Sequence, residues 1–274
     1  LASPVVVAHK RPRRSAMMSC SRMKPLPALA VGLALSLASS PAAAIVGGAP
    51  DQSGLARSLL MVLKAGGSLC SGVLVAPDAV LTAGHCVAGG QGAADQKALR
   101  VHFRDGAGEP VLIEPRAVAL HPGFDAKAVA ARRRSIDLAL VRLPQPLPAP
   151  FAPVALAGEM PRAGAPVAVS GFGLAVDGDP GTTGILRRAA LSVVEPYGQS
   201  QILLWAKGRD SGACLGDSGG ALVSGDRVIA VTSWATGAKG RSCGDLTQGI
   251  LLGPQRDWID RTLSGWNARA RWQP

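Results

Sequence analysis

The stretch "GDSGGALV", residues 216–223, sets a glycine-rich bend directly against the start of an apolar strand. Gly216, Gly219 and Gly220 permit a tight turn in which consecutive backbone N–H groups point inward, a geometry suited to holding a developing oxyanion. Ser218 at its centre is a candidate nucleophile. A serine hydroxyl attacks poorly at neutral pH, so it needs a base, and that base needs an acid to orient it.

The chain has four histidines. His9 lies in the leader, His102 alternates within a strand, and His121 sits in the turn "LHPGFD" (120–125), where an imidazole serves local hydrogen bonding. His85 differs. It ends "VLTAGHC" (80–86) just after a strand, beside a cysteine, at a rigid and accessible position on a barrel edge. Asp137 leads the apolar run "LALVRL" (138–143), where a carboxylate is drawn into the interior and demands a partner.

Outward from these motifs the chain reads as short strands separated by turns, with 34 Gly and 21 Pro in 274 residues. Strands are predicted at 59–64, 71–76, 80–81, 99–103, 111–113, 117–120 and 138–143. A second series follows at 166–170, 189–194, 201–205, 221–223, 228–233 and 249–252. Each series suffices for a small antiparallel barrel. The proline-rich "PQPLPAPFAP" (144–153) joins them and cannot enter a central strand. The expected fold is all-β, two antiparallel six-stranded barrels over 45–147 and 148–274. It closes with one helix, in which Pro254 occupies the first turn, Trp258, Ile259, Thr262 and Leu263 share a face, and Gly265 ends the run.

Residues 1–44 are of another kind. Met23–Lys24, the apolar "LAVGLALSL" (29–37) and the A-x-A of Ala42 and Ala44 read as a signal peptide over 23–44, and residues 1–22 as an upstream extension or a mistaken start. The first 44 residues carry six Lys or Arg and no acid, so the net charge of +11 falls to +5 for residues 45–274. The cluster Arg132–Arg133–Arg134 has no interleaved aromatics and does not read as a nucleic-acid site. Four cysteines remain after processing: Cys70, Cys86, Cys214 and Cys243. In an exported chain an even count favours disulfides, and pairing by neighbourhood gives Cys70–Cys86 and Cys214–Cys243, each closing a loop worth about 3 kcal/mol. Zinc is the rival, but C-x-x-C or histidine partners at ligand spacing are missing.

Taken together, "IVGG" (45–48), "LTAGHC" (81–86), "DLALVRL" (137–143), "GDSGG" (216–220) and "SWA" (233–235) resemble the signature segments of the chymotrypsin/trypsin family of serine proteases, in that family's order. The resemblance implies a chymotrypsin-like fold and a secreted or periplasmic serine endopeptidase with His85, Asp137 and Ser218 as catalytic residues. Gly216 and Ser218 would form the oxyanion hole, and Ser233 would support Asp137. It further implies that the free amine of Ile45 pairs with Asp217. The A-x-A site abuts Ile45, so signal peptidase itself is expected to make the activating cut. That amine would titrate near 8 when free and higher when paired, so activity should fall at strongly alkaline pH.

By the same resemblance Gly212 and Ala213 floor the specificity pocket, and Ser233, Trp234, Ala235 and Gly249 line it. This uncharged lining suits small or medium apolar side chains before the scissile bond. Asp210 would confer trypsin-like specificity if a shifted loop carried it in. The arginines at 132–134 border the neighbouring subsites, either favouring acidic residues upstream of the cut or forming a solvated loop. Gly84 and Ala235 stand where alanine and glycine are commoner, and Ala235 could narrow the cleft. The loop 104–110 offers Asp105 and Glu109 but too few oxygens for calcium. No cofactor or metal is expected. The partners implied are protein or peptide substrates and protein inhibitors, with no specific nucleic acid and no membrane span in the mature form. A catalytically silent binding protein on the same fold, or an esterase, are the alternatives.

Overall fold

The computed structural model describes residues 45–274 apart from Gln91, Arg132 and Lys239. The expected extension and signal peptide, residues 1–44, lie outside the described residues. The strands are β1 (Ala49–Pro50), β2 (Leu59–Lys64), β3 (Ser68–Ala76), β4 (Ala79–Thr82), β5 (Leu99–Arg104), β6 (Pro110–Ile113), β7 (Ala117–Leu120), β8 (Ala139–Arg142), β9 (Ala155–Ala157), β10 (Pro166–Gly171), β11 (Arg187–Val194), β12 (Leu203–Lys207), β13 (Ala221–Ser224), β14 (Arg227–Thr236), β15 (Leu246–Leu251) and β16 (Arg271–Gln273). The α-helices are α1 (Gly84–Val87), α2 (Ala126–Ala130) and α3 (Arg256–Gly265).

The second half closes. Its pairing runs β13-β10-β11-β12-β15-β14 and returns through a β13–β14 ladder, a ring of six antiparallel strands. The first half is a curled seven-stranded sheet in the order β6-β5-β2-β3-β4-β8-β7. Among the described residues its outer strands β6 and β7 do not pair with each other, which departs from the second closed barrel expected. Pro115 and Arg116 form the corner between them, and the Gln96 side-chain amide donates to both carbonyls at 2.8 and 3.1 Å. The corner is thus satisfied by a side chain in place of a ladder.

Alternation explains why β3 reads as an unbroken apolar run. Leu74 faces a core inside the first sheet with Val62, Val80 and Val101, whereas Val73 and Val75 face a core that also holds Leu140, Val231, Ile250 and, from α3, Ile259 and Leu263. Burying each such side chain contributes about 1.5–3 kcal/mol. A third core fills the closed barrel with Val169, Leu191, Leu222, Ile229 and Leu251, and Ile45 belongs to it.

Short elements escaped sequence reading. β1 pairs with β11, and β9 lies parallel to β14 and β16. After α3 the chain turns back, with Trp272 Nε1 donating to Asp260 Oδ1 at 2.8 Å and the Arg256 guanidinium 5.0 Å over the Trp272 ring. Both expected disulfides are formed, Cys70–Cys86 and Cys214–Cys243. All four cysteines are therefore oxidised, and none is left as a thiolate to ligate zinc. The Asp105 carboxylate is occupied by its own hairpin, accepting from the amides of Ala107 and Glu109 at 2.9 Å.

Candidate active site

α1 is a single turn that carries His85 at the end of β4, fixed from behind by the Cys70–Cys86 bond to β3. Gly84 makes room for the Phe124 ring, which a Cβ there would approach to 2.6 Å. Asp137, just before β8, is 1% exposed. Its Oδ1 accepts from the His85 amide at 2.8 Å and its Oδ2 lies 2.7 Å from His85 Nδ1. The Ser233 hydroxyl donates to Oδ2 at 2.6 Å. Burial pushes the Asp137 carboxyl up, but the His85 hydrogen bond and charge, the Ser233 hydroxyl and the His85 amide outweigh it and hold it below the usual carboxylate range. An ionised carboxylate only accepts, so Nδ1 carries the imidazole proton and Nε2 is left with a free lone pair.

Ser218 reaches the same end of the first sheet. Its carbonyl accepts from the Ser71 amide at 2.7 Å and lies 3.8 Å from Cys86 Sγ, next in sequence to His85. The bend around it is locked: Gly219 N–H donates to Thr232 O at 2.7 Å and Gly220 N–H to Asp217 O at 2.8 Å. Gly219, at φ +84°, would drive a Cβ into Ser71 O and Thr82 Oγ1. Gly216, at φ +96°, has no room for one against Gly173 and Leu69. Among the described residues the N–H groups of Gly216 and Ser218 have no protein acceptor, and Ser218 Oγ is not hydrogen-bonded to His85 Nε2. The structure thus brings His85, Asp137 and Ser233 into direct contact and sets Ser218 beside α1, with the Gly216 and Ser218 amides unbonded among the described residues.

Asp217, next to Ser218, has no exposure. Its oxygens accept from the amides of Gly173 and Cys214, both at 2.8 Å. Burial pushes this carboxyl up to about 7, against the opposing pull of the Cys214 and Gly173 amides and of the Arg187 charge. An acid so deeply desolvated gains most from a cation at close range. Residues 45–47 are threaded into the neighbouring slot. Ile45 is fully buried, Val46 pairs with Gly212 through an N–H···O bond of 3.1 Å, and Gly47 packs so closely on Asp210 and Ser211 that a Cβ would come within 2.6 Å of the Asp210 carbonyl. Ile45 itself sits at φ +51°, a strained conformation for a β-branched residue. That strain exists only while a peptide bond precedes it: a chain that begins at Ile45 has no φ there.

The expected pocket residues separate into two groups. Ala213 has no exposure, and its N–H donates to Thr247 Oγ1 at 2.9 Å. Thr247 is also fully buried and stands opposite Ala235 in the β14–β15 register. Ala213 and Thr247 thus offer no open surface, while Ala235 is half-buried. Gly249 requires correction as a wall residue: a side chain there would meet Leu222 and Ala230, in the barrel core. Thr247, two residues earlier, is the residue of this strand that meets two of the expected pocket residues, pairing with Ala235 and accepting from the Ala213 N–H, and sequence reasoning missed it. Asp210 is exposed, at φ +59°, with its carbonyl against Gly47. Trp234 stacks edge-to-face on Trp205 at 6.0 Å and looks onto a separate cavity of about 580 Å³ beside Asp137.

Comparison with known proteins bears on the family and the fold. The Trypsin family model matches residues 45–259. Trypsin epsilon of Drosophila erecta is 30% identical over 218 residues, 72% of this chain and 78% of that protein. Kallikrein-15 of Saguinus oedipus is 31% identical over 192 residues, 60% of this chain and 70% of that one. In fold, the chain resembles neuropsin, a serine protease of mouse brain, with a TM-score of 0.65 at 23% identity over 80% of this chain and 99% of that one. It likewise resembles human heparin binding protein, with a TM-score of 0.64 at 21% identity over 80% and 97%. With a family model matched across 45–259, this chain belongs to the trypsin family of serine proteases.

Proposed function

We propose that the protein is a secreted serine endopeptidase that cleaves after small apolar residues through Ser218, His85 and Asp137. The observation that carries the reading is the buried Asp137 carboxylate, bonded to both the amide and Nδ1 of His85 and to the Ser233 hydroxyl. It fixes the tautomer in which Nε2 is the base. Closure of His85 Nε2 onto Ser218 Oγ accompanies substrate binding, as hydrogen bonds of this kind are long in free enzymes.

Ser218 Oγ attacks the scissile carbonyl while its proton passes to His85 Nε2, and the imidazolium is stabilised by Asp137. The carbonyl oxygen gathers negative charge between the N–H groups of Gly216 and Ser218, each worth about 3–4 kcal/mol in comparable sites. His85 then protonates the departing amine, leaving an acyl-enzyme. Water attacks the ester with His85 again as base, and collapse of the second tetrahedral species releases the acid and restores the Ser218 hydroxyl.

The closed floor formed by Ala213 and Thr247 supports small side chains before the bond, and the exposed Asp210 lends no support to a trypsin-like pocket. Secretion accords with the two disulfides and with the leader pattern of 23–44. Signal peptidase cutting after Ala44 would free the Ile45 amine for Asp217 without a separate activating protease. The test is hydrolysis of an unstructured protein substrate by secreted chain whose amino terminus has been sequenced. Cleavage after Ala or Val by a chain starting at Ile45, absent in Ser218→Ala, is expected. A start before Ile45 in active protein refutes the activation step, and equal cleavage by Ser218→Ala refutes the function.

A further inference from the structure

A cavity of about 580 Å³, large enough for several side chains, lies beside the proposed catalytic residues. It opens directly beside Asp137 and Ser233. One wall is aromatic: Trp205 joins Tyr197 edge-to-face at 5.4 Å and Trp234 at 6.0 Å. The lining also includes Arg133 and Arg134, both exposed. Among the described residues the sole carboxylate in the lining is Asp137, which is 1% exposed and already holds three hydrogen bonds from His85 and Ser233. Neither arginine forms a salt bridge with a described residue. Two arginines with no described carboxylate to balance them thus border this cleft, and its aromatic walls strengthen the field they project into it.

The arginines are not on a loose loop. Asp125 caps α2 by accepting from the amides of Lys127 and Ala128 at 2.9 and 3.1 Å. The Arg133 amide is bonded to Ala128 O at 2.7 Å, the Asp125 amide to Ser135 Oγ at 2.8 Å, and the Ile136 amide to Gly123 O at 3.0 Å. The backbone is therefore tied down on both sides of the pair before any ligand arrives, which lowers the entropy lost on binding.

We infer that this cleft selects peptides with a glutamate or aspartate among the few residues preceding the scissile bond, the carboxylate pairing with Arg133 and Arg134 while neighbouring side chains pack on Trp205 and Trp234. The inference rests on the proposed peptidase function, but it concerns binding and is testable without catalysis. On the proposed reading a small side chain before the bond provides little burial, so discrimination falls to this cleft. The paired fork geometry of guanidinium and carboxylate favours such an acid over an uncharged amide of the same size.

The experiment uses the chain starting at Ile45 with Ser218→Ala, and peptides ending in alanine that differ only in Glu against Gln at each of the three preceding positions. Affinity is read from quenching of the tryptophans that line the cleft. Glu is expected to bind about fivefold more tightly at one or more positions, with the ratio shrinking towards one at high salt. The ratio should vanish in Arg133→Ala/Arg134→Ala and invert in favour of Lys over Gln in Arg133→Glu/Arg134→Glu. Equal affinities for Glu and Gln at every position, or a preference that persists in the double alanine variant, would overturn the inference. Because no bond is cleaved, a Glu preference in a protein that hydrolyses nothing would sink the peptidase reading and leave the acidic selectivity standing.

Discussion

Retaining even one residue before Ile45 should change how stability depends on pH, and the size of the change follows from Asp217. In the continuous chain this carboxyl sits at about 7, against an ordinary 3.8. Between those values the native state holds a proton that the unfolded chain has released, so the free energy of unfolding falls as pH rises through the window and levels off above it. The whole displacement amounts to about 4 kcal/mol. In a chain that begins at Ile45, the ammonium group favours the carboxylate and removes this fall. Its own contribution is present below about pH 8 and fades as pH passes the raised value of the paired amine. The assay is urea unfolding from pH 4 to 10 of two Ser218→Ala proteins, one starting at Ile45 and one at Ala44. The Ile45 form should gain on the other across pH 4–7, reach an advantage of a few kcal/mol near neutrality, and lose it at alkaline pH. Parallel profiles for the two forms would refute the pairing, as would an unchanged slope in the Ala44 form carrying Asp217→Asn.

Other outcomes follow from individual contacts. Asp137→Asn removes the acceptor-only partner of His85 and should lower kcat by about 10⁴-fold with little change in KM, measured on a peptide amide. Ser233→Ala deletes one charge-assisted bond to Asp137 and should cost about tenfold or more in kcat, with far-ultraviolet circular dichroism unchanged. Thr247→Gly opens the pocket floor and should raise kcat/KM for Leu relative to Ala before the scissile bond by about tenfold or more, read from paired ester substrates. Gly84→Ala pushes on the Phe124 ring and should destabilise the fold by about 1–3 kcal/mol in urea titration, an effect that Phe124→Leu would relieve.

Much of this was legible because it lies in local sequence. The glycines of 216–220 declare a bend that admits no Cβ, and Gly219 and Gly216 do adopt positive φ. Apolar runs such as 59–64 and 189–194 announce strands, and Pro254 and Gly265 bracket the helix. What stayed hidden depends on register and on contacts between distant segments. Strand periodicity assigns Thr247 and Gly249 to one face, but only the register and the bond to Ala213 show that it is Thr247 that meets Ala213 and Ala235. β1, β9 and β16 have two or three residues each, too few for a period to emerge, and are held by neighbours remote in sequence. The open first sheet was likewise invisible, since its corner is satisfied by Gln96 from an earlier segment. The departure at Gly84 became intelligible only once Phe124 was seen to occupy the space.

The central claim is that His85, oriented by Asp137, makes Ser218 nucleophilic. Reaction of the Ile45-starting protein with a fluorophosphonate, followed by peptide mass mapping and the rate of adduct formation, tests this most directly. The account predicts a single adduct on Ser218, formed orders of magnitude more slowly in His85→Ala and in Asp137→Asn. No adduct at Ser218, or one that forms at the same rate without the imidazole, would contradict it.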